Sequence, residues 1–272
     1  MKLAIYIGKE SKETEKRISE LLDALRAGGH VLYELGEGDV PSPDTDMLLS
    51  VGGDGTFLSA SKLVIDSGIP VAGVNLGRVG FLSENRPEDV AKALLSGDYT
   101  IEDRAMLKAV VSPEVPSVTM WDYALNEITV HRSGAAMLGV DVDLSGVTLP
   151  TYWADGLVIS TSSGSTAYSL SVGGPIALPE SRVLLISPIA PHNLNIRPLV
   201  VPDTSVIRLR MHSRDGKFVL TADNRTVEVD ENAEVEISVA QFSLKRVRLN
   251  QSNFINALTE KLFWGEDVRN IV

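Results

Sequence analysis

Apolar and polar positions in the N-terminal part of the chain follow two patterns in turn. Short runs that are apolar at nearly every position, such as 47–51, are typical of strands buried on both faces of a sheet. Between these runs, apolar residues recur at helical spacing, as at Ile18, Leu21 and Leu25. The predicted strands are 3–7, 31–35, 47–51 and 69–74, and the predicted helices are 11–27, a segment after 56, and 87–95. Because strands and helices alternate, we expect a Rossmann-like α/β domain whose parallel sheet is covered by helices.

From about residue 99 the pattern changes to alternation of apolar and polar residues. Alternating segments lie at 207–211, 227–229, 235–237 and 244–249. This period of two predicts a C-terminal domain built as an antiparallel β-sandwich. A helical pattern returns at 252–263, and we expect this last helix to pack on the N-terminal domain. The predicted domains are therefore 1–98, 99–250 and 251–272.

Composition and charge narrow the class of protein. The chain has 272 residues, a formal net charge of −11 and a sequence pI of about 4.9, so broad attraction to nucleic acid is not expected. It contains no cysteine, which excludes disulfides, zinc–thiolate sites and thiol catalysis. Charged residues at Lys2, Lys9 and Glu10 come too early for a signal peptide or a membrane span. We therefore expect a cytoplasmic protein without nucleic-acid or membrane partners.

A glycine-rich turn at 52–56 joins the predicted strand 47–51 to the following helix. Glycines at such a turn let a phosphate approach the backbone, and the helix N-terminus presents N–H donors. Asp54 is the unusual residue, because a carboxylate repels phosphate unless it holds a cation or accepts a proton from an attacking hydroxyl. The turn therefore indicates phosphoryl transfer. The alternative is a tight turn in which Asp54 caps the helix.

The turn does not fit two better-known phosphate-binding motifs. It lacks the lysine of a Walker A motif and the G-x-G-x-x-G of a dinucleotide fingerprint. A phosphate site here would need a divalent metal ion or remote basic groups to balance its charge. The four histidines lack the spacing of metal ligands, so no residue of the chain is predicted to bind a metal.

Two further segments suggest a binding site. Residues 155–171 are typical of a strand, a loop dense in hydroxyl groups and a helix that begins at Ser165 or Thr166. Hydroxyl groups supply neutral donors to phosphate or ribose, and Tyr168 can stack on a base; the alternative is a serine-rich surface loop. Asn126 and Glu127 open a predicted strand and can bind ribose hydroxyls or an adenine. A solvated strand end is the alternative for this pair.

These blocks, in this order, resemble the NAD kinase family. They are 52–56, the pair 126–127, and 155–156 followed by 166–171 and 173–175. The chain departs from the common family pattern at Trp153, Ser163 and Arg225. The resemblance covers essentially the whole chain. It implies transfer of the γ-phosphate of ATP, or in some members of polyphosphate, to the 2′-hydroxyl of the adenosine ribose of NAD, which gives NADP.

The resemblance also implies roles for particular residues. Asp54 would be the general base, and Gly55 would share its contact with the dinucleotide. Asn126, Glu127 and Asp155 would hold the adenosine portion. The pocket lining implied by the resemblance comprises Thr166, Ala167, Tyr168, Ser169, Leu170 and Ser171. Family members use a divalent cation, usually magnesium, and assemble as homodimers or homotetramers.

Two other functions are compatible with the same residues. A lipid or sugar-phosphate kinase could carry the same glycine-aspartate-glycine turn, but it would not use Asn126 and Glu127 to bind adenosine. A non-catalytic dinucleotide-binding module would bind NAD and form no product. Such a module would gain nothing from a carboxylate at Asp54 that faces phosphate.

Overall fold

The computed structural model describes residues 1–8, 12–77, 80–115, 118, 122–250 and 253–264. The chain forms two units. The first contains residues up to Asp103 together with the described residues from Leu244 onward, and the second contains Arg104–Ser243. None of the helices among these residues is long and apolar enough to cross a membrane.

The N-terminal elements alternate between strands and helices, as the sequence pattern predicts. In chain order they are β1 Lys2–Ile7, α1 Lys12–Ala27, β2 Val31–Glu34, β3 Met47–Val51, α2 Asp54–Val64, β4 Val71–Val74, α3 Pro87–Ser96 and β5 Tyr99–Ser112. The predicted helix start at Ser11 lies outside the described residues. The end of α1 at Gly28 and Gly29 is tightened by a bond from the N–H of His30 to the carbonyl of Leu25, with Gly29 at a φ of 83°.

Strands β1 to β4 form a parallel sheet in the order β2-β1-β3-β4. Every residue of β3 and β4 is buried, which explains their continuous apolar runs. Helices α1 and α3 add apolar side chains such as Leu25 and Val90 to the core of this unit. The prediction of a parallel sheet covered by helices is confirmed.

The remaining elements are mostly strands. In chain order they are β6 Tyr123–Ala124, β7 Glu127–Arg132, β8 Leu138–Leu144, β9 Val147–Thr148, β10 Tyr152–Ala154, β11 Gly156–Thr161, a 3₁₀-helix Ser163–Thr166, α4 Tyr168–Ser171, β12 Val183–Ile189, β13 Leu199–Pro202, β14 Ile207–His212, β15 Lys217–Ala222, β16 Arg225–Asp230, β17 Glu234–Leu249 and α5 Phe254–Leu262.

The second unit is an antiparallel β-sandwich. One sheet has the order β13-β12-β11-β7-β15-β16, and the other contains β10, β8, β14 and the first part of β17. Alternate residues of β14 are buried and exposed, so one face of the strand points into the core. Side chains from both sheets, for example Val140 and Leu157, belong to one apolar cluster. The predicted antiparallel sandwich is confirmed.

Two predicted C-terminal segments are joined in the structure. The alternating patterns at 235–237 and 244–249 belong to one strand of 16 residues, β17. Its last part pairs in parallel with β4 at Arg246 and Val71 and so extends the sheet of the first unit. Helix α5 follows and belongs to the same unit, where the ring of Phe254 lies 5.9 Å from that of Phe81. The prediction that the last helix packs on the N-terminal domain is confirmed.

Candidate functional site

The glycine-rich turn follows β3 and places Gly53, not Asp54, at the N-cap position of α2. Gly53 is the N-cap of α2, and Asp54 is the first residue of the helix. Instead of capping α2, the Asp54 carboxylate accepts hydrogen bonds from three backbone N–H groups. These are Phe81 to Oδ2 at 2.8 Å, Leu82 to Oδ1 at 3.0 Å and Ser83 to Oδ1 at 2.8 Å. The capping alternative is therefore wrong, and the turn presents a fixed carboxylate.

The segment 80–83 fits closely around this carboxylate. A Cβ at Gly80 would lie 1.8 Å from Asp54 Oδ1, so only glycine leaves room for the carboxylate here. The Ser83 hydroxyl donates to the carbonyl of Gly53 at 3.3 Å, and Asn75 Nδ2 donates to the carbonyl of Ser83 at 2.8 Å. The position of Asp54 therefore depends on residues nearly thirty positions later, a relation that no local motif shows.

A buried ion pair supports the same segment from β17. Arg246 Nη2 lies 2.6 Å from Glu84 Oε1, and their side chains are only 5% and 11% exposed. The same Nη2 donates to the carbonyls of Phe81 and Leu82 at 3.4 and 3.3 Å. Removing one partner of such a pair leaves the other charge buried, at a cost of about 3–5 kcal/mol. The sequence analysis did not identify Arg246, because on a strand it resembles any outward-facing arginine.

Lys261, near the end of α5, reaches the same segment. Its ammonium group donates to the carbonyl of Gly80 and lies 3.9 Å from the centroid of the Phe81 ring. Burial lowers the pKa of Lys261 to about 8, against the opposing effect of Asp54 and Glu84. The sequence analysis missed this residue, because a basic side chain in the last turn of a helix is common.

In the second unit, Asn126 and Glu127 are held by an aspartate that the sequence analysis missed. The Asp223 carboxylate accepts bonds from the backbone N–H groups of Leu125, Asn126 and Glu127 at 2.9, 2.8 and 3.3 Å. Asp223 has a φ of 50°, and burial raises its pKa. Arg225 Nη2 is 4.0 Å away. In the sequence, the only local indication of this role is that Asp223 and Asn224 precede the basic residue Arg225.

Glu127 is buried and carries an unsatisfied oxygen. It is 9% exposed, so the solvated strand end considered from the sequence is wrong. Burial first, and then the charge of Asp223, raise the pKa of Glu127 to about 8, while the backbone N–H of Tyr168 opposes this shift. Its Oε2 has no hydrogen-bond partner in the described part of the chain, and neither has the hydroxyl of Ser160 opposite it in the sheet. Two such neighbouring polar atoms leave hydrogen-bonding capacity for a ligand.

The hydroxyl-rich loop follows β11 and packs against this pair. A Cβ at Gly164 would lie 2.2 Å from the carbonyl oxygen of Asn126, which shows how closely the two segments approach. Thr161 Oγ1 donates to the carbonyl of Leu125 at 2.7 Å. The structure therefore brings together two segments that are 35 residues or more apart in the chain.

The predicted helix start at Ser165 or Thr166 is wrong. A 3₁₀-helix begins at Ser163, and only the four residues of α4 are α-helical. The Ser165 hydroxyl donates to the carbonyl of Ala177 and accepts from its N–H, both at 3.1 Å, so it is not available as a cap. Thr166 Oγ1 donates back to Ser163 instead. The hydroxyl groups in this loop hold neighbouring segments, which is why they do not start a helix.

Residues 166–171 differ in how accessible they are. Ser169 is buried, and its hydroxyl pairs with that of Ser187 at 3.1 Å. Ser171 is exposed, and the partly exposed members are Thr166, Ala167, Tyr168 and Leu170. The Tyr168 ring stacks on the ring of His131, with centroids 5.7 Å apart and an interplanar angle of 15°.

Asp155 lies near this aromatic pair. Its carboxylate forms an ion pair with Arg132 at 2.7 Å. Burial raises the pKa of Tyr168, and the negative charges of Asp155 and Glu127 raise it further. Burial lowers the pKa of His131, against the effect of Asp155. Asn126, Glu127, Asp155 and the loop through Ser171 therefore form one polar cluster in the second unit.

The described residues contain no group of three or more histidine, cysteine, aspartate or glutamate side chains arranged to hold a metal ion. Magnesium is usually bound through one or two carboxylates, several waters and substrate phosphates, so a closed protein cage is not required.

Comparisons with known proteins cover both units. Residues 38–97 match the sequence model of the ATP-NAD kinase N-terminal domain, and residues 125–249 match that of the ATP-NAD kinase C-terminal domain. A relative from Flavobacterium psychrophilum named NAD kinase is 43% identical over 229 residues, which is 83% of this chain and 78% of the relative. A Bacteroides fragilis protein of the same name is 40% identical over 230 residues, covering 83% and 79% of the two chains.

Two solved structures share the fold. An NAD kinase from Archaeoglobus fulgidus, in complex with ATP, aligns with a TM-score of 0.78 at 26% identity and covers 97% of this chain and 99% of its own. A yeast NADH kinase complexed with NADH aligns with a TM-score of 0.84 and covers 99% and 89%. The yeast enzyme is 24% identical and supports the fold alone.

Proposed function

This chain belongs to the NAD kinase family, and on that premise we propose that it transfers the γ-phosphate of ATP to the 2′-hydroxyl of the adenosine ribose of NAD, giving NADP and ADP. Both domain models and the named relatives agree on this activity. They give no support to a lipid or sugar-phosphate kinase. The observation that carries the proposal in the structure is the Asp54 carboxylate held by three N–H groups in a strand-to-helix turn.

Asp54 is the proposed general base. The 2′-hydroxyl oxygen attacks the γ-phosphorus while its proton passes to the Asp54 carboxylate, and the bond from the γ-phosphorus to the β,γ-bridging oxygen breaks to release ADP. Oδ2 accepts one N–H bond and Oδ1 accepts two, so Oδ2 retains a lone pair for the proton. General base catalysis of this kind contributes about 10²–10⁴-fold to the rate. Gly55 would contact the dinucleotide beside Asp54.

The polar cluster of the second unit is the proposed adenosine-binding site. Its members are Asn126, Glu127, Asp155, Thr166, Ala167, Tyr168, Ser169, Leu170 and Ser171. With a pKa of about 8, Glu127 is mostly protonated at neutral pH and can donate as well as accept a hydrogen bond. A neutral carboxyl suits a sugar hydroxyl or a base edge, and the unsatisfied Glu127 Oε2 supports this role.

A divalent cation, magnesium by our proposal, accompanies ATP as part of the substrate. It would neutralise phosphate charge and orient the γ-phosphate. Alignment of the reacting groups supplies the rest of the rate enhancement. The partners are thus the small molecules ATP and NAD. A cytoplasmic location and assembly as a homodimer or homotetramer are part of the proposal, and light scattering after gel filtration measures the assembly state.

The activity is tested by incubating the purified chain with magnesium, ATP and NAD and measuring NADP by chromatography. Parallel reactions replace ATP with polyphosphate and NAD with NADH or a diacylglycerol. We expect NADP with ATP as donor. Binding of NAD without any NADP under every donor would instead support the non-catalytic module, and phosphorylation of the lipid alone would support the other kinase class.

A further inference from the structure

Lys261 is a basic side chain of α5 that none of the proposed steps uses, although it lies at the segment that holds Asp54. Its ammonium donates to the carbonyl of Gly80 and sits 3.9 Å from the centroid of the Phe81 ring. The N–H of Phe81 in turn donates to Asp54 Oδ2 at 2.8 Å. The carbonyl of Gly80 and the N–H of Phe81 belong to one peptide group, so the lysine and the carboxylate each bind one end of the same peptide unit.

Among the charges around Lys261, that of Asp54 has the largest effect on its pKa. Asp54, Glu84 and Glu260 attract it, and Arg246 repels it. Glu84 is already paired with Arg246 at 2.6 Å. Glu260 lies next to Lys261 in the chain and is exposed. The partly buried ammonium favours an opposite charge nearby, and of these three carboxylates Asp54 is neither paired with an arginine nor fully exposed.

We propose that Lys261 is a positioning residue for Asp54: it fixes the segment 80–83 at Gly80 and Phe81, and its charge offsets the repulsion between the carboxylate and the transferred phosphate. The inference rests on the proposed function, because it gives Lys261 a role only through Asp54. An ammonium has three N–H donors, and the carbonyl of Gly80 takes one of them. Loss of the ammonium would loosen the segment and displace the carboxylate that it holds.

The ionisation of Lys261 gives this role a pH signature. Its pKa is lowered to about 8 by burial, so the ammonium loses its charge as pH rises through that value. The groups that face it are Asp54 from α2, Glu84 from the segment after Phe81, Arg246 from β17 and Glu260 from α5 itself. Turnover of the native enzyme should therefore decline above pH 8. An arginine at this position stays charged and should make the decline smaller, while the contribution of Glu127, whose pKa is also about 8, remains in both proteins.

The test compares Lys261→Met and Lys261→Arg with Lys245→Met in the full chain, with MgATP and NAD as substrates. Lys245→Met removes one exposed lysine charge from the same unit and is the matched control. We expect Lys261→Met to lower kcat about 10–100-fold, as for a misplaced catalytic group, with the KM for NAD changed less than about threefold. Lys261→Arg should recover most of this loss at pH 7 and lose less activity than the native enzyme between pH 7 and pH 9. The control should match the native enzyme.

A double variant tests whether Lys261 acts through Asp54. If the two substitutions acted independently, the fold-loss of kcat in the double variant Asp54→Asn, Lys261→Met would be the product of the two single fold-losses. We expect the double variant to lose no more kcat than Asp54→Asn alone. Multiplicative effects would overturn the inference. So would a Lys261→Met enzyme with native kcat, or an alkaline decline that Lys261→Arg leaves unchanged.

A measurement without substrates separates this inference from the proposed function. Amide hydrogen exchange at Phe81, Leu82 and Ser83 reports the bonds to Asp54, and we expect it to accelerate in Lys261→Met but not in Lys261→Arg or Lys245→Met. Unchanged exchange in Lys261→Met overturns the inference whatever the activity. The native enzyme could form no NADP while the exchange rates change as expected. That result would overturn the proposed function but still support the positioning of Asp54 by Lys261.

Discussion

At the residue scale, two aspartates have the same pattern of backbone hydrogen bonds. Asp54 and Asp223 each accept three backbone N–H groups from a segment far away in the sequence. Their exposure separates their roles: the side chain of Asp223 is 4% exposed, whereas Asp54 is only partly buried. Asp223 therefore fixes the turn at Asn126 and Glu127, whereas the partial exposure of Asp54 suits its proposed role as general base.

Replacing Asp54 by asparagine removes the proposed base and keeps the shape. We expect kcat to fall by at least about a hundredfold, because an amide cannot accept the ribose proton. The dissociation constant for NAD, measured by calorimetry, should change little. Turnover near the native rate would remove Asp54 from the role of base. The amide nitrogen of the new asparagine would face a backbone N–H that Asp54 now accepts, which could destabilise the protein. Thermal unfolding of the variant is therefore the control for a loss of folded protein.

Glu127 makes stability depend on pH. Its pKa is 4.5 in the unfolded chain and about 8 in the folded protein, so the folded state holds the proton more tightly. The stability that this group contributes is fully present below pH 4.5, decreases as pH rises and is lost above about 8. The loss is on the order of 5 kcal/mol at about 1.4 kcal/mol per pKa unit.

Glu127→Gln removes this titration. The free energy of unfolding of the variant minus that of the native protein should therefore increase between pH 5.5 and 8.5, because only the native protein loses stability as Glu127 ionises. Urea unfolding at three pH values measures the difference. A difference that is independent of pH would show that Glu127 does not keep its proton in the folded protein.

At the scale of elements, the segment 80–83 and the hydroxyl-rich loop do more than connect regular structure. The first holds Asp54, and the second holds Asn126 and the chain near Ala177. Both are short; side chains of other elements support the first, and hydroxyl groups of the loop itself support the second. Such segments carry function because a rigid scaffold positions them.

Gly80→Ala is the sharpest test of the first segment, because the added Cβ would lie 1.8 Å from Asp54 Oδ1. We expect kcat to fall about 10–100-fold as the carboxylate is displaced, while unfolding changes by no more than about 1–3 kcal/mol. Gly77→Ala is the matched control, since a Cβ there meets no atom of the described residues within 4 Å. Equal kinetics for the two alanine variants would contradict the proposed fit around Asp54.

At the scale of the whole molecule, two units with separate cores carry the two parts of the proposed chemistry. The polypeptide passes between them in β5 and again in β17. The division into domains at 98/99 and 250/251 stays a prediction. A ligand that binds one unit should still stabilise the protein, because it binds only the folded form.

NAD at a hundred times its dissociation constant should stabilise the protein by about 2.7 kcal/mol and raise its unfolding temperature. At the same NAD concentration, Asp155→Asn should show a clearly smaller rise, since this residue belongs to the proposed adenosine site. Asp141→Asn is the control, because Asp141 pairs with His212 at 2.7 Å outside that cluster. Differential scanning fluorimetry measures all three proteins, and an equal rise in Asp155→Asn would exclude Asp155 from the site.

Local pattern in the sequence determined the alternating α/β domain, the β-sandwich, the returning helix and the family, because hydrophobic period and short motifs are properties of neighbouring residues. It placed Asp54 at a strand-to-helix turn. Only the tertiary structure decided where the carboxylate points, that Glu127 is buried and that the hydroxyl groups at 162–169 brace the loop. Asp223, Arg246 and Lys261 act on residues roughly a hundred or more positions away. Contacts of that kind arise when the sheets and α5 pack, and no period or motif along the chain encodes them.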